Sequence, residues 1–153
     1  KYYHDVVGVN SRLDTIQAAI LNVKLDHLHS YCKARQKAAA FYDEALRDVE
    51  QITTPFRSPF SSHVFHQYTI KVSEQYSRDE LKNYLAGKGI PSMIYYPLPL
   101  HEQKAYLEFM NEDMEFPIST ALCNSVLSLP IHTHLKTEEQ EFIVQHIKSF
   151  FSK

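Results

Sequence analysis

The sequence predicts an α+β domain in which helices cover a small, mostly antiparallel sheet. Three observations carry this reading. Apolar residues recur at helical spacing in several separate stretches, and short runs rich in β-branched and aromatic residues lie between them. Proline and glycine punctuate the boundaries. The resulting order is helix, helix, strand, helix, strand, helix, strand, helix. With 153 residues and 44% hydrophobic content, the chain can build one core, so residues 1–153 read as a single domain.

Leu13, Ile16, Ile20, Leu21, Leu25 and Leu28 form the first helical stripe, and Ser11 followed by Asp14 supplies an S-x-x-D start signal. A second pattern, Ala34, Ala38, Phe41, Tyr42, Ala45 and Leu46, follows almost without a break. Two helices, or one long bent helix, are therefore expected over about 13–48. Pro55 and Pro59 end that region, and Val64 to Val72 reads as the best strand, with His66 alternating along it. Ser77 caps a helix to Leu85, with Glu80 at the box position and Gly87 and Gly89 closing it. Ile90 to Tyr96 reads as a second strand, stopped by Pro97 and Pro99. A helix around Ile118 to Asn124 precedes a third strand at Val126–Leu129. Thr137 is expected to cap the last helix, whose buried stripe is Phe142, Ile143, His146, Ile147 and Phe150.

Sixteen basic and eighteen acidic side chains give a net charge of −2 without blocks of one sign, which argues against nucleic acid or an anionic membrane as partner. No run approaches the roughly 20 apolar residues of a membrane span, and the opening KYYHDVVGVN does not resemble a signal peptide. Cys32 and Cys123 are distant and belong to no C-x-x-C pair, so the cytoplasm is the expected compartment. An opening on Lys1, Tyr2, Tyr3 and His4 reads as a cut inside a longer protein.

Nine histidines invite a metal reading, through His63 and His66 or His132 and His134, but no carboxylate or cysteine completes either pair nearby. The cysteines lie within helical patterns, where a small buried hydrophobe is the usual occupant. There is no Walker loop and no G-x-G-x-x-G. The segment Gly8-Val9-Asn10-Ser11-Arg12 leads into a helix N-terminus and so offers an anion site, with an amide and a guanidinium beside it. On residues alone, the favoured reading is Asn10 or Ser11 as a simple helix cap and Arg12 as a solvated charge.

The run Gly8 to Leu21, Lys24–Leu25, and then Arg35, Ala39 and Tyr42 resembles the DegT/DnrJ/EryC1/StrS family of nucleotide-sugar aminotransferases. The resemblance continues through H-Q-Y-T-I (His66 to Ile70), G-I-P-S-M-I-Y-Y-P-L-P-L-H (Gly89 to His101), Phe116–Pro117 and V-L-S-L-P-I-H (Val126 to His132). G-V-N-S-R with Y-P-x-P-L is most similar to the branch acting on UDP-linked 3-keto-hexuronic acids. Related branches take dTDP-linked keto-6-deoxysugars.

The resemblance implies the small C-terminal domain of a fold-type I, aspartate-aminotransferase-like enzyme that uses pyridoxal phosphate (PLP). The catalytic lysine and the main cofactor-binding domain then precede this chain. Lys1 stands too close to Gly8 to be that lysine, so no catalytic residue is assigned here, and the chain alone is expected to be inactive. By resemblance, Asn10 reaches the PLP phosphate of the partner subunit in a homodimer. Arg12 binds either the uronate carboxylate or that of the amino donor, with glutamate as the expected donor. Tyr95, Tyr96 and His101 contact the nucleotide-sugar, whereas His66 and Gln67 pack and Tyr68 stays in the core. Tyr95 and Tyr96 read equally well as an amphipathic pair at a strand end. Two rival readings remain: a non-catalytic sugar-nucleotide-binding or assembly module, and a metal-binding regulatory domain.

Overall fold

A computed structural model describes residues 2–111 and 114–152. Lys1, and with it the reading that excludes it as the catalytic lysine, lies outside the described residues.

The first helix, α1, spans Thr15–Leu25. Its cap is Asp14, not Ser11: the Asp14 carboxylate accepts from the Gln17 amide at 2.8 Å, and Gln17 Oε1 accepts from the Leu13 amide at 2.8 Å. Leu13 adopts a left-handed backbone conformation, with φ of 63°, and this turn delays the helix until Asp14. The expected stripe forms but is not buried. Ile16 is 75% exposed, Ile20, Leu21, Leu25 and Leu28 are exposed too, and α1 buries no residue. Helical spacing reports which residues share a face, not whether that face is covered.

After a short break, α2 (Leu28–Ala45) turns Ala38, Ala39 and Tyr42 inward. The sheet has the order β1 (Ile52–Thr53), β2 (Tyr68–Val72), β3 (Val126–Leu129), and both pairings are antiparallel. Tyr68 opposes Leu129 and Ile70 opposes Leu127 on the face that joins the core. On the other face Thr69 opposes Ser128, and their hydroxyls lie 2.8 Å apart. The sheet core is closed by Tyr42 from α2 and Leu46 at its C-terminal cap, Leu81 and Leu85 from α3 (Arg78–Gly87), and Ile143, Val144 and Ile147 from α5 (Thr137–Phe151). The helix α4 (Pro117–Ser125) leads directly into β3.

Ser77 caps α3 as expected, accepting from the Glu80 amide. At the other end Gly89, with φ of 75°, takes the left-handed position, so the Ile90 amide reaches the Leu85 carbonyl and the Gly89 amide the Ala86 carbonyl. Ile90 then enters the core beside Leu85. Thr137 is the first residue of α5 and not its cap. The Glu139 side chain reaches back to the Lys136 amide at 2.8 Å. Phe142 stays exposed, and Val144 takes the inward place.

Two strand expectations are corrected. Residues 64–67 are not strand, and His66 does not alternate along one, because Phe65 turns left-handed (φ 50°) and breaks the extended path before Tyr68. Ile90 to Tyr96 is not a strand either: a single bridge joins Met93 to Ser128 at the edge of β3. A two-residue strand at Ile52–Thr53 completes the sheet instead. Among the described residues, no helix is long and apolar enough to cross a membrane.

Two core phenols tie the layers together. The Tyr42 ring lies 5.0 Å from Tyr68, its hydroxyl donates to the Pro130 carbonyl at 2.9 Å, and the Tyr68 hydroxyl donates to Asp43 at 2.6 Å. Burial raises the pKa of both, reinforced at Tyr68 by the Asp43 hydrogen bond and at Tyr42 by the charge of Glu139. A folded pKa above the unfolded value means that the fold favours the neutral phenol. This stabilisation is complete below the unfolded tyrosine value of about 10 and is lost as pH rises from there through the folded value. The urea midpoint should therefore fall between about pH 9 and 11, and Tyr68→Phe should flatten that slope. An unchanged slope in the variant would show that Tyr68 ionises normally.

Candidate functional site

Residues Gly8 to Arg12 form an extended arm ahead of α1, and Asn10 and Arg12 are both exposed on it. The helix N-terminus carries its own carboxylate: Asp14 accepts from the Gln17 amide and stands at the positive end of the helix dipole, where it competes with a second anion. Asn10 is not the helix cap. It lies four residues before the cap, and neither it nor Arg12 has a hydrogen bond or ion pair among the described residues. An amide and a guanidinium that their own domain leaves unpaired fit a phosphate or carboxylate supplied from outside it.

The base of the arm is fastened to the Y-Y-P-L-P-L-H segment. Gln103, only 3% exposed, accepts from the His4 amide at 2.9 Å and donates to the carbonyls of Tyr2 at 2.9 Å and Leu98 at 3.4 Å. The Ala105 amide donates to the His4 carbonyl at 3.0 Å, and Lys104 pairs with Asp5 at 3.4 Å. Sequence reasoning missed Gln103, because a buried amide leaves no periodic signature.

The remaining predicted residues divide. Tyr95 is half-buried and lines a groove of about 310 Å³ with His66, Gln67, Ser92, Ser128 and His132. Tyr96 is 72% exposed and lies outside it. Neither stands on a strand. His101 sits in a 3₁₀ turn, Leu100–Glu102, with Nε2 at 3.4 Å from both Thr120 Oγ1 and Glu102 Oε1 and its ring 4.9 Å from Phe116. It thereby joins this turn to α4. No hydrogen bond or ring contact among the described residues joins Asn10 or Arg12 to Tyr95, Tyr96 or His101.

One cation shapes the groove. Arg35 Nη1 donates to the carbonyls of Phe65 at 2.9 Å, His66 at 3.1 Å and Ile131 at 3.2 Å. Phe65, whose left-handed backbone costs energy, is pinned further by His63 Nδ1 on its amide and by the Arg57 guanidinium 4.5 Å from its ring. That turn sends His66 and Gln67 to the groove wall. The Ser92 hydroxyl is buried there with no hydrogen-bond partner among the described residues. No cluster of three or more metal-binding side chains occurs among the described residues. Burial raises the Cys123 thiol, with the charge of Glu102 adding to the effect and Arg78 opposing it, so this cysteine is a poor nucleophile.

The DegT/DnrJ/EryC1/StrS aminotransferase family model matches residues 1–148. The chain belongs to this family. It is 42% identical over 153 residues to a pleiotropic regulatory protein of Geobacillus stearothermophilus, covering 99% of this chain and 40% of the relative. To dTDP-3-amino-3,6-dideoxy-alpha-D-galactopyranose transaminase of Aneurinibacillus thermoaerophilus it is 39% identical, covering 98% and 40%. For UDP-2-acetamido-2-deoxy-3-oxo-D-glucuronate aminotransferase of Pseudomonas aeruginosa the identity is 38%, covering 94% and 38%. The crystal structure of a DegT DnrJ EryC1 StrS aminotransferase from Brucella abortus superposes with a TM-score of 0.82 at 39% identity, over all of this chain and 40% of that one. The chain thus spans about 40% of the length of the relatives it matches.

Arg35 generates a stability prediction. Arg35→Met keeps the aliphatic stem on α2 and removes the donor to three carbonyls, so urea unfolding should show a loss of about 2–3 kcal/mol. A loss below about 0.5 kcal/mol, the ordinary range for surface changes, would mean that water replaces the guanidinium without cost.

Proposed function

We propose that this chain is the C-terminal domain of a PLP-dependent aminotransferase that moves an amino group, with glutamate as donor, to the 3-keto carbon of a nucleotide-linked sugar. One observation carries the reading: within this family's fold, Asn10 and Arg12 stand on an exposed arm with no partner in their own domain. The names of two relatives support carbon 3 as the position, since one carries a 3-amino sugar and the other a 3-oxo sugar. The first is linked to dTDP and the second to UDP, and the choice between them rests on Arg12.

When bound, the cofactor supplies the electron sink for amino transfer. This chain's residues bind and orient around it. The Asn10 amide would hold the cofactor's phosphate in the partner subunit of a homodimer. Arg12 grips a carboxylate through two parallel hydrogen bonds, which suits a uronate or the amino donor. Tyr95, Tyr96 and His101 line the path of the nucleotide-sugar, Tyr95 from the groove and Tyr96 from an exposed position that ligand contact would cover. None of them replaces a Schiff-base lysine, so the isolated chain is inactive in this reading.

Complementation tests the shared site. In the whole protein, Asn10→Ala subunits mixed with subunits lacking the catalytic lysine should recover up to about half of wild-type activity per heterodimer. Both defects then fall in the same active site of the heterodimer, and the other site is intact. No recovery despite demonstrated subunit exchange would remove Asn10 from the partner's site. The regulatory name of the Geobacillus relative favours a second, non-catalytic reading. The same experiment separates the two, since a binding module has no transaminase activity to restore.

Arg12 decides the substrate branch. Removing a charged hydrogen bond costs about 1.5–3 kcal/mol, so Arg12→Ala should weaken a uronate substrate about tenfold to a hundredfold and a neutral 6-deoxy sugar far less. Equal loss with both substrates, measured as kcat/KM, would assign Arg12 to the amino donor.

A further inference from the structure

We propose that Gln103 is a positioning residue that locks the Asn10–Arg12 arm and the Tyr95–His101 segment into one unit. This role rests on the assignment of Asn10 to the cofactor phosphate.

The arm is tethered at both ends. At its far end, Gln17 and Asp14 bind the backbone at Leu13 and Gln17. At its near end, Gln103 accepts from the His4 amide and donates to the Tyr2 carbonyl, and the Ala105 amide closes on the His4 carbonyl. Between these points, Val6 to Arg12 make no hydrogen bond among the described residues. The direction of the arm is therefore set by its ends.

Gln103 bonds both the arm and, through Leu98, the loop bearing Tyr95 and Tyr96. Its chemistry suits the task. A primary amide offers an acceptor and two donors from one rigid plane, so it can read an N–H and two carbonyls together. A carboxylate accepts only, and an ammonium donates only. The side chain is buried while the arm it serves is exposed, so the amide is held from the domain side and not by the arm. The exposed Lys104–Asp5 pair lies beside this junction and adds little by comparison.

The test is a double-mutant cycle in the whole holoenzyme. Gln103→Met keeps the length and volume of the side chain while removing all three hydrogen bonds. PLP retention, followed by absorbance during dialysis, should weaken about tenfold in Gln103→Met and at least tenfold in Asn10→Ala. In the double variant, Gln103→Met should add less than twofold, because a misdirected arm costs nothing further once Asn10 is gone. Amide exchange should accelerate at His4 and Ala105 and stay unchanged in β2 and β3.

Multiplication of the two losses, or faster exchange throughout β2 and β3, would show a role in general stability and overturn the positioning role alone. Normal PLP retention in Asn10→Ala, with a loss in Gln103→Met, would overturn the assignment of Asn10 together with any action of Gln103 through it. Gln103→Glu, nearly equal in volume, runs the same cycle if the methionine variant does not accumulate. It keeps the acceptor for His4 and loses both donated bonds.

Discussion

A sheet of three strands, with two, five and four residues, leaves most of the non-helical backbone outside any ladder, and side chains must satisfy it. Arg35 serves the carbonyls at Phe65, His66 and Ile131. Arg78, itself buried, takes those of Cys123 and Val126 at the junction of α4 with β3. Gln140 reaches from α5 to the Ala38 carbonyl on α2, and Gln103 serves Tyr2 and Leu98. Arginine and glutamine suit this work because each presents more than one N–H from a planar head. The fold thus rests on a few polar anchors as much as on its apolar core. Each anchor pins two segments that are distant in sequence.

This dependence explains what could be read from the sequence. Elements whose cause is local were legible: the Ser77 cap, the glycine-closed end of α3, the helical character of residues 15–45, and the Val126–Leu129 strand. Those decided by a distant side chain were not. The β-branched and aromatic run at 64–67 has strand composition, yet Arg35 and Arg57 hold Phe65 in a turn that composition disfavours. Ile90 to Tyr96 likewise has strand composition but finds only the edge of β3, where Met93 and Ser128 exchange one pair of hydrogen bonds.

The candidate site divides in the same way. Asn10 and Arg12 were legible as motif residues, but the start of the helix was not, since Asp14 caps it and neither Asn10 nor Ser11 does. The stripe on α1 was legible as a pattern, while its exposure was not, because no spacing rule states what will cover a face. Gln103 carried no signal at all, and Ser92 only its place within the Gly89 to His101 run. Each is set apart by burial, which long-range packing decides.

The Gln103 junction has a consequence for how such a chain can diverge. A substitution that shifts the Leu98 carbonyl disturbs the amide that also holds Tyr2 and His4, so a change in the loop is transmitted to the arm. Two surfaces with separate chemical tasks are therefore inherited as a pair. New recognition in this lineage is most freely acquired at positions such as Tyr96, whose side chain projects beyond the shared joint, and least freely at the backbone around Leu98.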